Sequence, residues 1–178
     1  MQELRRGVAV DRALGSEVSV TTDSADETRQ LAAHLAGSAR AGDRLALVGP
    51  LGAGKTQFAK GFARGLGVEE VVNSPSFTLM AEYAGRLRLF HQDLYRLTGA
   101  EDVLGGGLLD ERQAEGVTLS EWAERLPAAI DPARLTVRIE ILGDEQRRLT
   151  LLPGSPDHQR YLAALDEWVG QRAGHAPR

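Results

Sequence analysis

Along this chain the spacing of hydrophobic positions changes period several times. Val18 and Val20 alternate with Glu17, Ser19 and Thr21, which predicts a short strand over 16–21. Ser24 and Glu27 then stand at capping-box spacing, where a hydroxyl and a carboxylate satisfy free N–H groups at a helix start. Leu31, Ala32 and Leu35 share one face of that helix, which ends among the residues from Gly37 to Gly42. Leu45 to Val48 is a compact apolar run between turn residues, the pattern of a strand buried in a parallel sheet. Beyond a glycine-rich loop, Phe58, Phe62 and Leu66 recur at helical spacing, and Gly65 and Gly67 close the helix.

The second half is read the same way. Phe77 to Tyr83 and Arg86 to Phe90 predict two strands around an Ala84-Gly85 turn. A short helical stretch over Glu101 to Leu104 runs into Gly105-Gly106-Gly107, a flexible break. Val117 to Leu119 is another apolar strand. Leu135 to Ile141 alternates and pairs with Arg148 to Leu152 as a hairpin across Gly143-Asp144. Tyr161, Leu162, Leu165, Trp168 and Val169 predict a terminal helix. With no internal repeat and no long linker, the expectation is one domain over 16–170. A ragged extension at 1–15 precedes it and a disordered tail at 171–178 follows. The expected fold is α/β and P-loop NTPase-like: a mostly parallel central sheet flanked by helices, with an antiparallel hairpin near the C-terminus.

The chemistry begins in the loop Gly49-Pro50-Leu51-Gly52-Ala53-Gly54-Lys55-Thr56, which has the full P-loop pattern between a strand and a helix. Its glycines permit backbone shapes that side chains would block, so that N–H groups can face phosphate oxygens. Lys55 is placed to reach the β- and γ-phosphates, and the Thr56 hydroxyl to reach magnesium. ATP and Mg2+ are therefore the expected ligands. A P-loop alone names no reaction, and two carboxylates can complete the site. Glu121 stands at the end of the Val117 strand, and Asp93 follows the Leu87–Phe90 strand. Glu121 can hold magnesium directly or through water, Asp93 can bind metal-bound water or orient the attacking water, and either can equally be a surface carboxylate or a cap. His91 admits a catalytic reading, but a lone histidine after a strand is more often a hydrogen-bond bridge. Trp122, beside Glu121, either stacks near the nucleotide or fills the core.

Composition removes other classes. The net charge of −4 leaves no surplus of Lys and Arg for generic nucleic-acid binding. The absence of cysteine excludes disulfides, thiolate zinc sites and a cysteine nucleophile. No apolar run reaches the roughly 18 residues of a membrane helix, and no apolar segment follows Arg5 and Arg6, so no membrane association and a cytoplasmic location are expected.

Four segments, in order and spacing, resemble the TsaE family (also called YjeE), the ATPases of bacterial tRNA threonylcarbamoyladenosine synthesis. They are the P-loop at 49–56, Ser-Pro-Ser-Phe-Thr-Leu at 74–79, His-Gln-Asp-Leu-Tyr-Arg-Leu at 91–97 and Leu-Ser-Glu-Trp at 119–122. The likeness spans roughly residues 16–152. It implies that Gly49, Leu51, Gly52, Ala53, Gly54, Lys55 and Thr56 bind ATP, and that Thr56 and Glu121 bind magnesium. It makes Asp93 the acidic residue needed for hydrolysis and Ser74 to Thr78 a nucleotide-sensing switch. Thr28 and, more loosely, Arg147 fall where the family contacts nucleotide. It also implies an accessory motor that acts on a TsaD and TsaB pair, with tRNA involved through those partners. Two features depart from the pattern: Ser76 replaces the usual threonine, and the 105–107 glycine run loosens the middle segment. Rival readings are a small-molecule P-loop kinase, a GTPase and a nucleotide-gated binding module without turnover. Asp102-Val103-Leu104-Gly105 fits a short GTPase pattern, but the chain has no Asn-Lys-x-Asp guanine reader.

Overall fold

Strand β2 (Arg44–Val48) carries parallel neighbours on both sides, and its Leu45, Ala46 and Leu47 are buried. A strand covered on both faces needs apolar residues at every position, which is why this run does not alternate. The computed structural model describes residues 17–105, 107–127 and 130–174. The expected extension at 1–15, Gly106 and residues 175–178 of the expected tail lie outside them.

The remaining strands are β1 (Val18–Thr22), β3 (Met80–Tyr83), β4 (Leu89–Asp93), β5 (Val117–Glu121), β6 (Leu135–Ile141) and β7 (Arg147–Leu152). Among the described residues they form one sheet in the order β1-β7-β6-β2-β5-β4-β3. The centre, β4-β5-β2-β6, is parallel. The edges are antiparallel: β3 on β4 at one side, β7 on β6 and β1 on β7 at the other. The sheet is thus mixed, and "mostly parallel" holds only for its centre. Strands joined by a few residues, as β3–β4 and β6–β7 are, can only return antiparallel, whereas parallel neighbours need a long crossover.

The helices are α1 (Ala25–Ala36), α2 (Lys55–Gly65), α3 (Ala100–Gly105) and α4 (Gln159–Gly174). Helices α1, α2 and α4 cover one face and share a core with the sheet, including Leu31, Leu35, Phe58, Phe62, Tyr161 and Leu165. A smaller cluster of Leu94, Leu97, Val103, Leu108 and Leu126 forms a second core. Two-residue alternation sends Leu89, His91 and Asp93 of β4, and Val117, Leu119 and Glu121 of β5, toward the α2 face. Gln92 and Ser120 point the other way and bond each other at 2.8 Å.

Helix α1 starts as its capping residues require. Ser24 Oγ accepts from the Glu27 N–H at 3.1 Å, while Glu27 reaches one residue past the cap and accepts from Asp23 N–H at 2.5 Å. The Glu27 carboxylate is also ion-paired to Arg172, whose guanidinium lies 4.6 Å over the Trp168 ring. That anchor accounts for a terminal helix that continues to Gly174, four residues beyond the expected end of the domain at 170.

Three local expectations change. Phe77 to Leu79 form a turn closed by Leu79 N–H donating to Pro75 O at 3.0 Å, so β3 begins only at Met80. Strand β4 is shifted toward the C-terminus and includes Asp93 rather than ending before it. The segment after Gly107 is held rather than loose, because the Leu108 carbonyl accepts from both Gln92 Nε2 (2.8 Å) and Gln113 Nε2 (3.1 Å). Among the described residues no helix is long and apolar enough to cross a membrane.

Gly61, inside α2, explains how close α1 and α2 lie: a Cβ there would sit 2.2 Å from Arg29 O. An exposed helical glycine gains about 1 kcal/mol on replacement by alanine. Gly61→Ala is expected to do the reverse, costing about 1–3 kcal/mol through backbone overlap. Urea denaturation checks the sign, and a stabilised variant would contradict this packing.

Candidate functional site

The loop between β2 and α2 is shaped by its backbone. Gly52 and Gly54 take φ of 80° and 100°, the left-handed region open to glycine at no steric cost. Gly49 passes so near β6 that a Cβ would meet Ile139 O at 2.4 Å. From the hairpin side, Arg147 grips the loop: Nε donates to Ala53 O and Nη2 to Gly52 O, each at 3.1 Å. Its Nη1 donates to Gly143 O at 2.8 Å, so one guanidinium ties the hairpin turn to the loop. The first turn of α2 adds N–H groups without intrahelical partners.

Lys55 is buried, and its Nζ donates to Gly49 O (2.6 Å) and Pro50 O (2.9 Å) while lying 3.6 Å over the Trp122 ring. Burial pulls the amine below the usual lysine range, and the carboxylates of Glu124, Glu121 and Asp93 oppose that shift. Trp122 contributes to both packing and cleft. It is half-buried against the smaller core, and its ring lines the cleft.

Thr56 Oγ1 donates to Glu121 Oε2 at 2.9 Å, and the other oxygen of Glu121, Oε1, is 2.7 Å from His91 Nε2. Asp93 stands beside Glu121 in the β4–β5 register. Its Oδ2 accepts from Ser74 Oγ and, at 3.2 Å, from Ser76 Oγ, and its Oδ1 accepts from Tyr95 N–H at 2.9 Å. Thr28 is buried, with its Oγ1 2.7 Å from Thr22 Oγ1.

Two clefts of about 270 Å³ each open on the loop. One is lined by Leu51, Gly52, Gly54, Lys55, Thr56, Glu121 and Trp122. The other shares Gly52 to Gly54 and is lined by Thr28, Gln57, Asp144, Glu145 and Arg147. The fold thus brings the expected residues to one loop. Gly49, Leu51, Gly52, Ala53, Gly54, Lys55 and Thr56 form it, Glu121 and Asp93 come from adjacent strand ends, and Thr28 and Arg147 stand on its far side. Sequence reasoning left out Asp144 and Glu145, whose one signal was their place in the hairpin turn beside Arg147.

The donor set suits magnesium. Among the described residues no cluster of three or more His, Asp or Glu forms a metal cage. A hydroxyl and a carboxylate oxygen fit an ion that keeps several waters and shares phosphate oxygens. Adjacent ligands of an octahedral Mg2+ with bonds of about 2.0–2.1 Å lie about 3 Å apart. Thr56 Oγ1 and Glu121 Oε2 are separated by 2.9 Å.

A model of the family described as threonylcarbamoyl adenosine biosynthesis protein TsaE matches residues 22–149. A Bacillus subtilis protein named tRNA threonylcarbamoyladenosine biosynthesis protein TsaE is 44% identical over 131 residues, covering 72% of this chain and 81% of the relative. A Treponema pallidum protein of the same name is 42% identical over 110 residues, covering 62% and 82%. The crystal structure of Bacillus subtilis YdiB superposes with a TM-score of 0.69 at 33% identity, covering 91% of this chain and 99% of that one. A loop, two strand-end carboxylates and a sheet of this order thus coincide with a match over most of the chain, and the protein belongs to the TsaE family of tRNA threonylcarbamoyladenosine biosynthesis proteins.

Proposed function

We propose that this protein is a magnesium-dependent ATPase that drives the tRNA threonylcarbamoyladenosine machinery, acting in the cytoplasm on a TsaD–TsaB pair. The observation that carries the reading is the convergence of Thr56, Glu121 and Asp93 beside a P-loop whose carbonyls Arg147 holds. The loop's N–H groups and Lys55 would take the phosphates, and Thr56 and Glu121 would hold the metal. Bound magnesium supplies charge neutralisation at the phosphate oxygens.

The chain's own residues must then do three things. Lys55 exchanges two carbonyls for phosphate oxygens, which are stronger acceptors because they are charged. Arg147 keeps Gly52 and Ala53 oriented during that exchange. Asp93 frees a carboxylate oxygen from the Ser74 and Ser76 hydroxyls and uses it to orient the attacking water. Movement of the 74–78 segment therefore gates hydrolysis, and the same movement would report the nucleotide state to the partners. A second reading has one observation in its favour. Asp93 has hydrogen bonds on both oxygens here, as a binding module without turnover would also keep it.

The readings part on mutation. Lys55→Ala is expected to weaken ATP binding by about 10- to 150-fold, the worth of one hydrogen bond to a charged group, measured by isothermal titration. Asp93→Asn is expected to bind ATP normally and to hydrolyse it about 10²–10⁴-fold more slowly; hydrolysis at the wild-type rate supports the module instead. Arg147→Lys is expected to weaken ATP about tenfold, because a point charge cannot span two carbonyls as a planar fork does; unchanged affinity refutes the clamp. Co-purification with the TsaD–TsaB pair is expected only with ATP present.

A further inference from the structure

We infer that His91 is a positioning residue for Glu121: its Nε2–H fixes one carboxylate oxygen so that the other is presented, with Thr56, to a divalent cation. The inference rests on the magnesium–nucleotide reading above and names how this chain prepares its own ligand.

His91 lies within β4 and is fully buried, and Glu121 is almost as deeply buried. Their contact is 2.7 Å. A carboxylate only accepts, so the imidazole proton on this side belongs to Nε2. The other ring nitrogen, Nδ1, is buried without a hydrogen-bond partner. An unpaired buried polar nitrogen is a cost that an apolar side chain at this position would avoid. The residues flanking it on the same face, Leu89 before and Leu119 across the ladder, are apolar. Among them, one imidazole spends its only hydrogen bond on Glu121.

The division of the carboxylate gives that bond its use. With Oε1 held by His91 and Oε2 by Thr56, the Glu121 plane cannot turn. Lys55 is close enough for the negative charge of Glu121 to act on its amine. A carboxylate released from His91 is free to turn toward that amine and to withdraw both a metal ligand and a phosphate ligand. Groups that orient a metal ligand in this way typically account for 10- to 100-fold in metal affinity or activity.

The test compares His91→Gln, His91→Asn and His91→Leu. The glutamine amide nitrogen is as many bonds from Cα as Nε2, whereas the asparagine nitrogen reaches only the place of Nδ1. Gln and Asn share a polar burial cost and differ in reach, so their comparison is independent of folding. Mn2+ replaces Mg2+, and its affinity for the complex with a non-hydrolysable ATP analogue is read by electron paramagnetic resonance. Expected are a 10- to 100-fold loss for Asn and Leu, near-wild-type affinity for Gln, and equal nucleotide affinity for all in EDTA. Equal Mn2+ affinity in Asn, Leu and wild type, or an equal loss in Gln and Asn, overturns the positioning role. Wild-type protein that takes up no Mn2+ with the analogue overturns the magnesium–nucleotide reading itself, and this inference with it.

Discussion

The parallel pairing of β2 with β5, and of β5 with β4, sets where the ionisable groups of this protein meet. In that register Glu121 faces Leu47 on one side and Asp93 on the other, one step before β2 ends and the P-loop begins. Parallel strands all deliver their C-terminal ends to the same edge, and α2 starts at that edge. Two-residue alternation then decides that His91, Asp93 and Glu121 project toward α2 rather than toward Gln92 and Ser120. A shift of β4 by one residue along β5 would turn His91 and Asp93 to the face opposite Glu121.

Gathering a lysine, an aspartate, a glutamate and a histidine out of water is expensive unless each finds a partner. Each of them does. Lys55 takes two carbonyls and an indole face, Glu121 takes Thr56 and His91, and Asp93 takes two serines and a backbone N–H. Most of these are partners that a charged ligand can displace. Arg147 is different, because it spends its donors on backbone carbonyls and acts as part of the frame. The site is therefore a fixed frame carrying exchangeable contacts. That is what a protein needs if it must bind and release a nucleotide in each cycle.

Much of this was legible beforehand where a local pattern has one physical solution. The P-loop spacing, the Ser24–Glu27 cap and the alternation of Leu135 to Ile141 each specify their own backbone, and the elements appear there. The differences fall where a specific hydrogen bond or ion pair overrides local propensity. Phe77 to Leu79 are good strand residues, yet the bond from Leu79 N–H to Pro75 O bends them into a turn. The glycines at 105–107 suggested looseness, and directly after them Gln92 and Gln113 hold the carbonyl of Leu108. Helix α4 outlasts its apolar pattern because Arg172 pairs with Glu27, far away in sequence.

By itself the sequence determined the strand–loop–helix with the P-loop pattern, since glycine freedom and helix-start N–H groups are properties of a few consecutive residues. It also determined, through four spaced segments, the family to which the chain belongs. Only the tertiary structure decided the order of the strands, the pairing of β1 with β7, the clamp of Arg147 on the loop and the bond from His91 to Glu121. Those depend on which residues meet across 94, 95 and 30 positions of chain. Such meetings are set by register and packing, and no local pattern encodes them.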